Sequence, residues 1–596
     1  LHLNAEQQLA LEHLVQVITE GSPASCCGVE SLALDCLERL ATLPAHKQQE
    51  FALALRLLAS RIGVSLAISR LSRFSALSES NRRRCVAAWI ASPIPVVRAA
   101  IQAVRKLVLA THYAAPKVTL ALGYPRPFRL REPAYGWEGP LPEASADERA
   151  DARSDERSKV PEDGPVRRRP ITLPAHLSAD PLPAGVVVEA TGPAHRRADV
   201  VVIGSGAGGA VAAATLAEAG FEVVIVEGGD WHSRADFIED DAAMTARLFA
   251  DGGLRATDDG SIALLQGETV GGSTTVNWML MLRTPDFVLE QWARESGATG
   301  MSPREMAPVF EDIERMVHAR PVPDAAHSAN NRLLLDGARQ LNWRARGGVI
   351  SANGCVRCGF CSAGCRHDAK QSALVTWLPR ALAAGAQLHA NAWVERIERR
   401  ERDRATGTPP LKRVHIRARG ADGARHALTI DAPVVIAAGG AVGTPALLQR
   451  SGMGGGGVGQ FLRLHPVVFG FGVYERDIAA GTGIPMTTIC DEQLRWNGTD
   501  YGFWIETPPV SPWFAAVAIP SFGHAHAARM ASYNQLGVLL SLTRDGAERH
   551  VSSGRVSVNR RGETSIRYRL TREDARRVRA SLGAMAQLHF AAGATE

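Results

Sequence analysis

Val200-Val201-Val202-Ile203-Gly204-Ser205-Gly206-Ala207-Gly208-Gly209 sets the reading of this 596-residue chain. Four consecutive β-branched residues have no polar face, so they read as a strand buried on both sides. The glycines turn the chain into the alanine-rich stretch 210–219, a good helix former. A second apolar strand, Glu222 to Val226, then ends at Glu227. Three glycines at this spacing arise readily by chance in a chain holding 56 of them, so the context carries the inference. A strand precedes, a helix follows, and Glu227 lies at the end of the next strand, where a carboxylate accepts hydrogen bonds from ribose hydroxyls. Gly204, Gly206 and Gly209, with Ser205 between them, let backbone N–H groups and the helix N-terminus approach a pyrophosphate. The βαβ unit predicts a dinucleotide site and does not separate FAD from NAD.

Composition bounds what surrounds this unit. Hydrophobic residues make up 45% and charged residues 21%, which excludes wholesale disorder and a membrane bundle. Lys and Arg number 67 against 61 Asp and Glu, a net charge of +6 spread along the chain; that balance argues against a nucleic-acid partner. No apolar run reaches the length of a spanning helix, and residues 1–30 lack a signal-peptide pattern. A cytoplasmic location is expected, with peripheral membrane contact through the N-terminal helices as a variant.

The length predicts about three domains. Residues 1–130 read as an all-α domain: Val97, Ile101, Val104 and Val108 repeat on one helical face, and Leu34, Cys36, Leu37, Leu40, Phe51, Leu53, Leu55 and Leu58 give further apolar stripes. Arg98, Arg105 and Lys106 on the first of these helices read as a solvated basic face, the competing reading being contact with an anionic membrane surface. Residues 131–197 are rich in Pro and charge and read as a mobile linker. The nucleotide domain is expected over 198–300 and 375–465, interrupted by an insertion at 301–374. Alternating stretches at 467–474 and 555–569 predict an antiparallel, α+β substrate domain over 466–596. The fold class expected is thus α/β: a doubly wound domain, a second antiparallel-sheet domain, and a helical domain in front.

Two further motifs narrow the cofactor. Gly267-Glu268-Thr269-Val270-Gly271-Gly272-Ser273-Thr274-Thr275-Val276-Asn277-Trp278 and the stretch from Gly440 through Gly443-Thr444-Pro445 to Gly454 resemble the two signature regions of the glucose-methanol-choline (GMC) flavoprotein oxidoreductases. The first departs from the family pattern at Glu268, where a basic residue or Asn is usual, and at Met281 and Thr284. The resemblance covers roughly residues 198–596. It implies FAD, with Gly271, Gly272, Thr274 and Asn277 near the pyrophosphate and flavin, and Val394 at the adenine. Within the family the chain is most similar to long-chain fatty alcohol oxidases and their bacterial relatives, through Leu122-Gly123-Tyr124-Pro125, Arg283-Thr284-Pro285, and Cys358-Gly359-Phe360-Cys361 running on to Trp377-Leu378-Pro379.

Cys355, Cys358, Cys361 and Cys365 have the spacing C-x2-C-x2-C-x3-C, the ligand run of bacterial ferredoxins, with Arg366 where Pro is usual. Three readings stay open: an iron-sulfur cluster, zinc on four thiolates, or disulfides and plain loop thiols. The resemblance also implies a His that takes the alcohol proton; by the family's order it is expected beyond Glu596, so the catalytic base is unknown. His465 reads as structural and His367 as a loop histidine. The activity expected is oxidation of the CH–OH of a primary, long-chain alcohol by hydride transfer to flavin, with O2 or an electron carrier as acceptor. The alternatives are a dehydrogenase on a sugar, sterol or other alcohol that passes electrons through a cluster to a quinone or cytochrome, and a flavin-binding scaffold without turnover.

Overall fold

The computed structural model describes residues 3–22, 28–43, 45–124, 182–401, 410–547 and 554–596. Its nucleotide domain is built on a parallel five-stranded sheet in the order β1-β9-β4-β3-β13. These strands are β1 (Val186–Val187), β3 (Val200–Ile203), β4 (Val223–Val226), β9 (Gln387–His389) and β13 (Val434–Ala437). Every residue of β3 and β4 is buried, as their unbroken β-branched runs require. On one face lies the helix Ala207–Glu218, whose Ala210, Ala213, Ala214 and Ala217 let it approach closely. On the other lies a second sheet, β10 (Ala392–Arg400), β11 (Leu411–Arg419), β12 (Arg425–Ala432) and β2 (Ala194–Arg197), in that order. Val201, Ile203, Val224 and Val226 share a core with its Val394, Ile397, Val414, Ile416 and Ile430.

The sheet of the second domain runs β14-β17-β16-β15-β7 and is antiparallel throughout. It comprises β7 (Ala345–Gly347), β14 (Val467–Val473), β15 (Thr488–Cys490), β16 (Phe503–Glu506) and β17 (Leu536–Thr543). Helices Ala329–Gln340 and Arg572–Ala591 back one face through Leu334, Ala338, Met585 and Leu588. Smaller pieces complete the chain: β5 (Leu280–Met281), β8 (Val349–Ser351) and β6 (Ala319–Pro321) form one sheet, and β18 (Arg555–Val558) pairs with β19 (Thr564–Arg567).

Two boundaries differ from the sequence reading. The linker expected over 131–197 falls largely outside the described residues, but its last part is sheet: β1 joins the nucleotide sheet and β2 the sheet behind it. Both are too short to announce themselves by alternation. Within the insertion expected at 301–374, one helix and β7 join the second-domain sheet, while Phe360, Ala363, Ala373 and Leu374 pack into the core of the nucleotide domain.

The described helices between Ala5 and Ala121 form an all-α unit in front of the nucleotide domain. The box at its start is legible chemically: the Asn4 side chain accepts from the Gln7 N–H while Gln7 reaches back to the Asn4 N–H. Val97, Ile101, Val104 and Val108 are all buried; Leu34 and Leu53, placed in stripes by the sequence, face solvent instead. The domain shares one continuous core with the second domain, through Tyr474, Val510, Ala515, Ile519, Met530, Tyr533 and Val538. Arg105 corrects the basic-face reading. It is 3% exposed, and its guanidinium donates to the carbonyls of Val517, Ile519 and Ser521 at 2.8–3.2 Å, at the C-terminal end of the helix Pro512–Ala518, where backbone carbonyls lack intrahelical donors. It is a tie between domains. Among the described residues no single helix is long and apolar enough to cross a membrane.

Candidate dinucleotide site and the adjoining thiol cavity

The turn after β3 leaves no room for a side chain at Gly204 or Gly209. A Cβ on Gly209 would lie 1.9 Å from the Gly204 carbonyl oxygen, so only glycine lets the helix start this close to the strand. Gly272, with φ +56°, passes so near Gly206 that a Cβ on it would stand 2.8 Å from the Gly206 Cα. The two glycine motifs, 66 residues apart in sequence, therefore form one cradle of bare backbone.

Ser205 and Glu227 hold that cradle together. Glu227 Oε2 accepts from the Ser205 N–H at 2.9 Å and its hydroxyl at 2.7 Å, and Oε1 accepts from the Gly229 N–H at 2.9 Å. Ser205 Oγ in turn accepts from the Gly271 N–H at 3.0 Å. Both side chains are buried. A carboxylate offers about four lone-pair sites, so capacity remains for ribose hydroxyls. Thr274 Oγ1 donates to the Gly271 carbonyl at 2.6 Å and accepts from the Ala373 N–H at 2.9 Å, fixing the loop. Asn277 is exposed, and its Oδ1 accepts from the Met279 N–H at 3.3 Å.

Val394 lies in the strand that follows from this point. The Glu227 carbonyl accepts from the Ala392 N–H at 2.8 Å, which sets the start of β10 beside the carboxylate. Val394 itself points into the core between the sheets. Its neighbour Trp393 is 40% exposed, lies 3.0 Å from the position a Gly228 Cβ would take, and carries the Arg450 guanidinium 5.7 Å from its ring centre. Sequence reading passed over Trp393; an aromatic residue breaking the apolar alternation of a strand was the available signal.

Glu268 is the departure that the site accommodates. Desolvation pushes its carboxyl above the ordinary value and Arg255 opposes that shift, with Asp251 and Glu227 adding to it. Arg255 Nη2 lies 3.7 Å from Glu268 Oε2, so a basic group is present nearby but comes from another loop.

The bare cradle, the buried carboxylate at the end of β4 and the paired motifs fit a dinucleotide such as FAD. A side chain at either crossing glycine would occupy the space the backbone leaves open.

Behind the Gly271–Asn277 loop lies a cavity lined by Cys355, Cys358, Cys361, Cys365, His367 and Lys370. All four cysteines are free thiols. Burial pushes Cys355 up to about 11, Cys358 up to about 12 and Cys361 higher. The Arg357 and Phe360 backbones hydrogen-bond Cys355 and Cys358 and oppose those shifts; the Lys370 N–H donates to Cys365 Sγ at 3.4 Å. Lys370 is 2% exposed. Its ammonium donates to the carbonyls of Thr275, Asn277 and Cys361, bridging the thiol loop to the second glycine motif. Among the described residues no three His, Cys, Asp or Glu side chains are grouped closely enough to hold one metal ion. His465 is exposed.

Comparison with known proteins agrees with this geometry. Residues 245–467 match the family described as GMC oxidoreductase, and residues 199–235 match an FAD binding domain. The chain is 35% identical over 414 residues to an uncharacterized GMC-type oxidoreductase of Mycobacterium tuberculosis, covering 69% of this chain and 62% of that one. It is 30% identical over 405 residues to a long-chain-alcohol oxidase of Arabidopsis thaliana, covering 67% of this chain and 53% of the relative. The chain thus spans between half and two thirds of these relatives' length. Among solved structures it is similar to a formate oxidase (TM-score 0.48, 16% identity, 67% of this chain and 82% of that one) and to a pyridoxine 4-oxidase from Mesorbium loti (0.46, 15%, 65% and 80%).

Proposed function

The chain belongs to the GMC oxidoreductase family, and from that premise we propose that it is an FAD-dependent enzyme oxidising the CH–OH group of a primary, long-chain alcohol. The observation that carries this reading is the crossing of Gly206 and Gly272, locked by Ser205 between Glu227 and Gly271. A bound FAD would supply the two-electron oxidising chemistry. This chain's part is to bind and orient. Backbone N–H groups of the first turn and the N-terminus of the helix Ala207–Glu218 would hold the pyrophosphate, Glu227 would accept from ribose hydroxyls, and the Gly271–Asn277 loop would help hold the flavin end. The long-chain preference draws support from the plant relative's name. Mixing the flavoprotein anaerobically with primary alcohols of graded chain length tests the reading. Bleaching of the oxidised-flavin bands that strengthens with chain length supports it; an unchanged spectrum with every alcohol supports a scaffold without turnover.

The thiol cavity favours a second reading, in which electrons leave through an iron-sulfur cluster to a quinone or cytochrome instead of to O2. A cluster spreads its thiolates around several irons and is commonly stabilised by N–H···S bonds, such as those at Cys355, Cys358 and Cys365. Stoichiometric iron and acid-labile sulfide, both lost in Cys358→Ser with flavin retained, support this reading. Flavin without iron, together with O2 consumption on adding alcohol, supports a simple oxidase.

A further inference from the structure

Strand register gives the second-domain sheet two unlike faces. Phe503 and Ile505 of β16, Leu539 of β17 and Cys490 of β15 pack with the backing helices. Alternate residues point the other way: Trp504 and Glu506 on β16, Val538, Leu540 and Leu542 on β17, Val467, Phe469 and Phe471 on β14. Phe469 and Phe471 join Trp513 and Phe514 of the helix Pro512–Ala518. Phe469 and Phe514 meet edge to face with ring centres 5.6 Å apart, and Trp513 and Phe514 do so at 5.8 Å. The result is an aromatic wall.

One carboxyl interrupts it. Ile489, Glu506, Leu540 and Phe469 form a single cross-strand row, which sets the Glu506 Cα about 10 Å from that of Phe469 at the usual strand spacing. Glu506 is 2% exposed, and its Oε2 has no hydrogen-bond partner among the described residues. Trp513 Nε1, on the helix facing the wall, is unpartnered too. A buried polar atom left without a partner is costly, and such a group calls for an explanation, a bound polar group being one.

We propose that Glu506 anchors the hydroxyl head of the substrate alcohol, while the wall of Phe469, Phe471, Trp513 and Phe514 receives its apolar body. This rests on the alcohol-oxidoreductase reading above. Burial alone pushes the Glu506 carboxyl up to about 8, so at neutral pH it carries its proton and both donates to and accepts from a hydroxyl.

The test uses the FAD-loaded chain and measures anaerobic flavin reduction against concentration of a saturated primary alcohol, with melting curves taken without alcohol. Glu506→Leu is expected to raise the half-saturating concentration by about tenfold or more, the worth of a lost hydrogen bond, with the limiting rate within about threefold and a melting temperature no lower than the parent's. Glu506→Gln, which still donates and accepts, is expected to stay within about threefold in both. Glu506→Asp, which withdraws the carboxyl by one methylene, is expected to weaken half-saturation severalfold while folding normally. An unchanged concentration dependence in Glu506→Leu and Glu506→Asp, with the parent reduced by alcohol, overturns the anchor alone. A Gln variant as impaired as the Leu variant does the same. A parent flavin that no alcohol reduces overturns the alcohol reading and the anchor with it.

Discussion

Ser205 is bonded twice to Glu227, its backbone N–H and its hydroxyl converging on one carboxylate oxygen at 2.9 and 2.7 Å. Because the same hydroxyl accepts from the Gly271 N–H, the pair ties the fingerprint turn, the end of the second strand and the downstream glycine motif into one unit. The site's precision is thus a property of three separate segments, and disturbing any of them is expected to be felt as lost cofactor.

Gly272→Ala places a methyl where only 2.8 Å separates it from the Gly206 Cα, at a φ of +56° that L-residues rarely adopt. We expect this variant to lose most of its flavin on gel filtration and to cost about 1–3 kcal/mol of stability. Gly206→Val is expected to lose flavin as well, since its side chain would enter the pyrophosphate's approach. Gly208→Ala is the control: its Cβ meets nothing within 4 Å on the same helix, so flavin content should match the parent.

Glu268 brings a carboxyl close to Glu227 at a position where the family resemblance implies a basic residue or Asn. Replacing it with Gln removes that repulsion without changing shape. Flavin release during dilution should slow, and FAD affinity should rise by about three- to tenfold, the effect of relieving about 1 kcal/mol of unfavourable charge. Equal affinity in the two proteins would show that Arg255 already neutralises the group.

Arg105 satisfies three carbonyls at the end of a helix in another domain. Arg105→Met removes the charge but leaves those acceptors unmet, and a destabilisation of about 2–4 kcal/mol is expected in denaturant melts. Arg105→Lys should recover only part of it, because an ammonium lacks the planar fork that reaches several carbonyls.

How much of this was legible follows from what each signal depends on. The βαβ unit was readable because buried parallel strands need unbroken apolar runs such as Val200–Ile203 and Val223–Val226, and because tight turns need glycine. The amphipathic repeat of Val97, Ile101, Val104 and Val108 was readable for the same kind of reason. The role of Arg105 was not, since nothing local distinguishes a surface arginine from one whose acceptors lie about 400 residues away in sequence. Leu34 and Leu53 show the converse, for an apolar residue at helical spacing is not obliged to be inside. Short strands such as β1 and β2 exist only through their partners in the sheet. Glu506 looked like any strand glutamate until register assigned it to the apolar wall.

Glu506 also makes stability depend on pH. Its carboxyl rises from an ordinary 4.5 to about 8 through burial, with no charged group contributing. Its cross-strand neighbours Ile489 and Leu540 are apolar, and Arg346, one strand beyond Ile489, lies 3.8 Å from Asp491. Below pH 4.5 folded and unfolded states are both protonated and the group has no effect. Between 4.5 and 8 the unfolded chain gives up the proton that the folded chain keeps, so stability falls with rising pH by up to about 1.4 kcal/mol per unit, then levels off. Glu506→Gln should abolish this slope, its stability relative to the parent growing by about 3 kcal/mol from pH 4.5 to pH 7 in denaturant melts. Parallel curves for the two proteins would place the carboxyl in contact with water.

The most direct measurement is the anaerobic absorption spectrum of the purified chain before and after a long-chain primary alcohol is added. The account predicts oxidised-flavin bands at the start, bleached by the alcohol. A preparation that holds no flavin, or whose flavin no alcohol reduces, would contradict it.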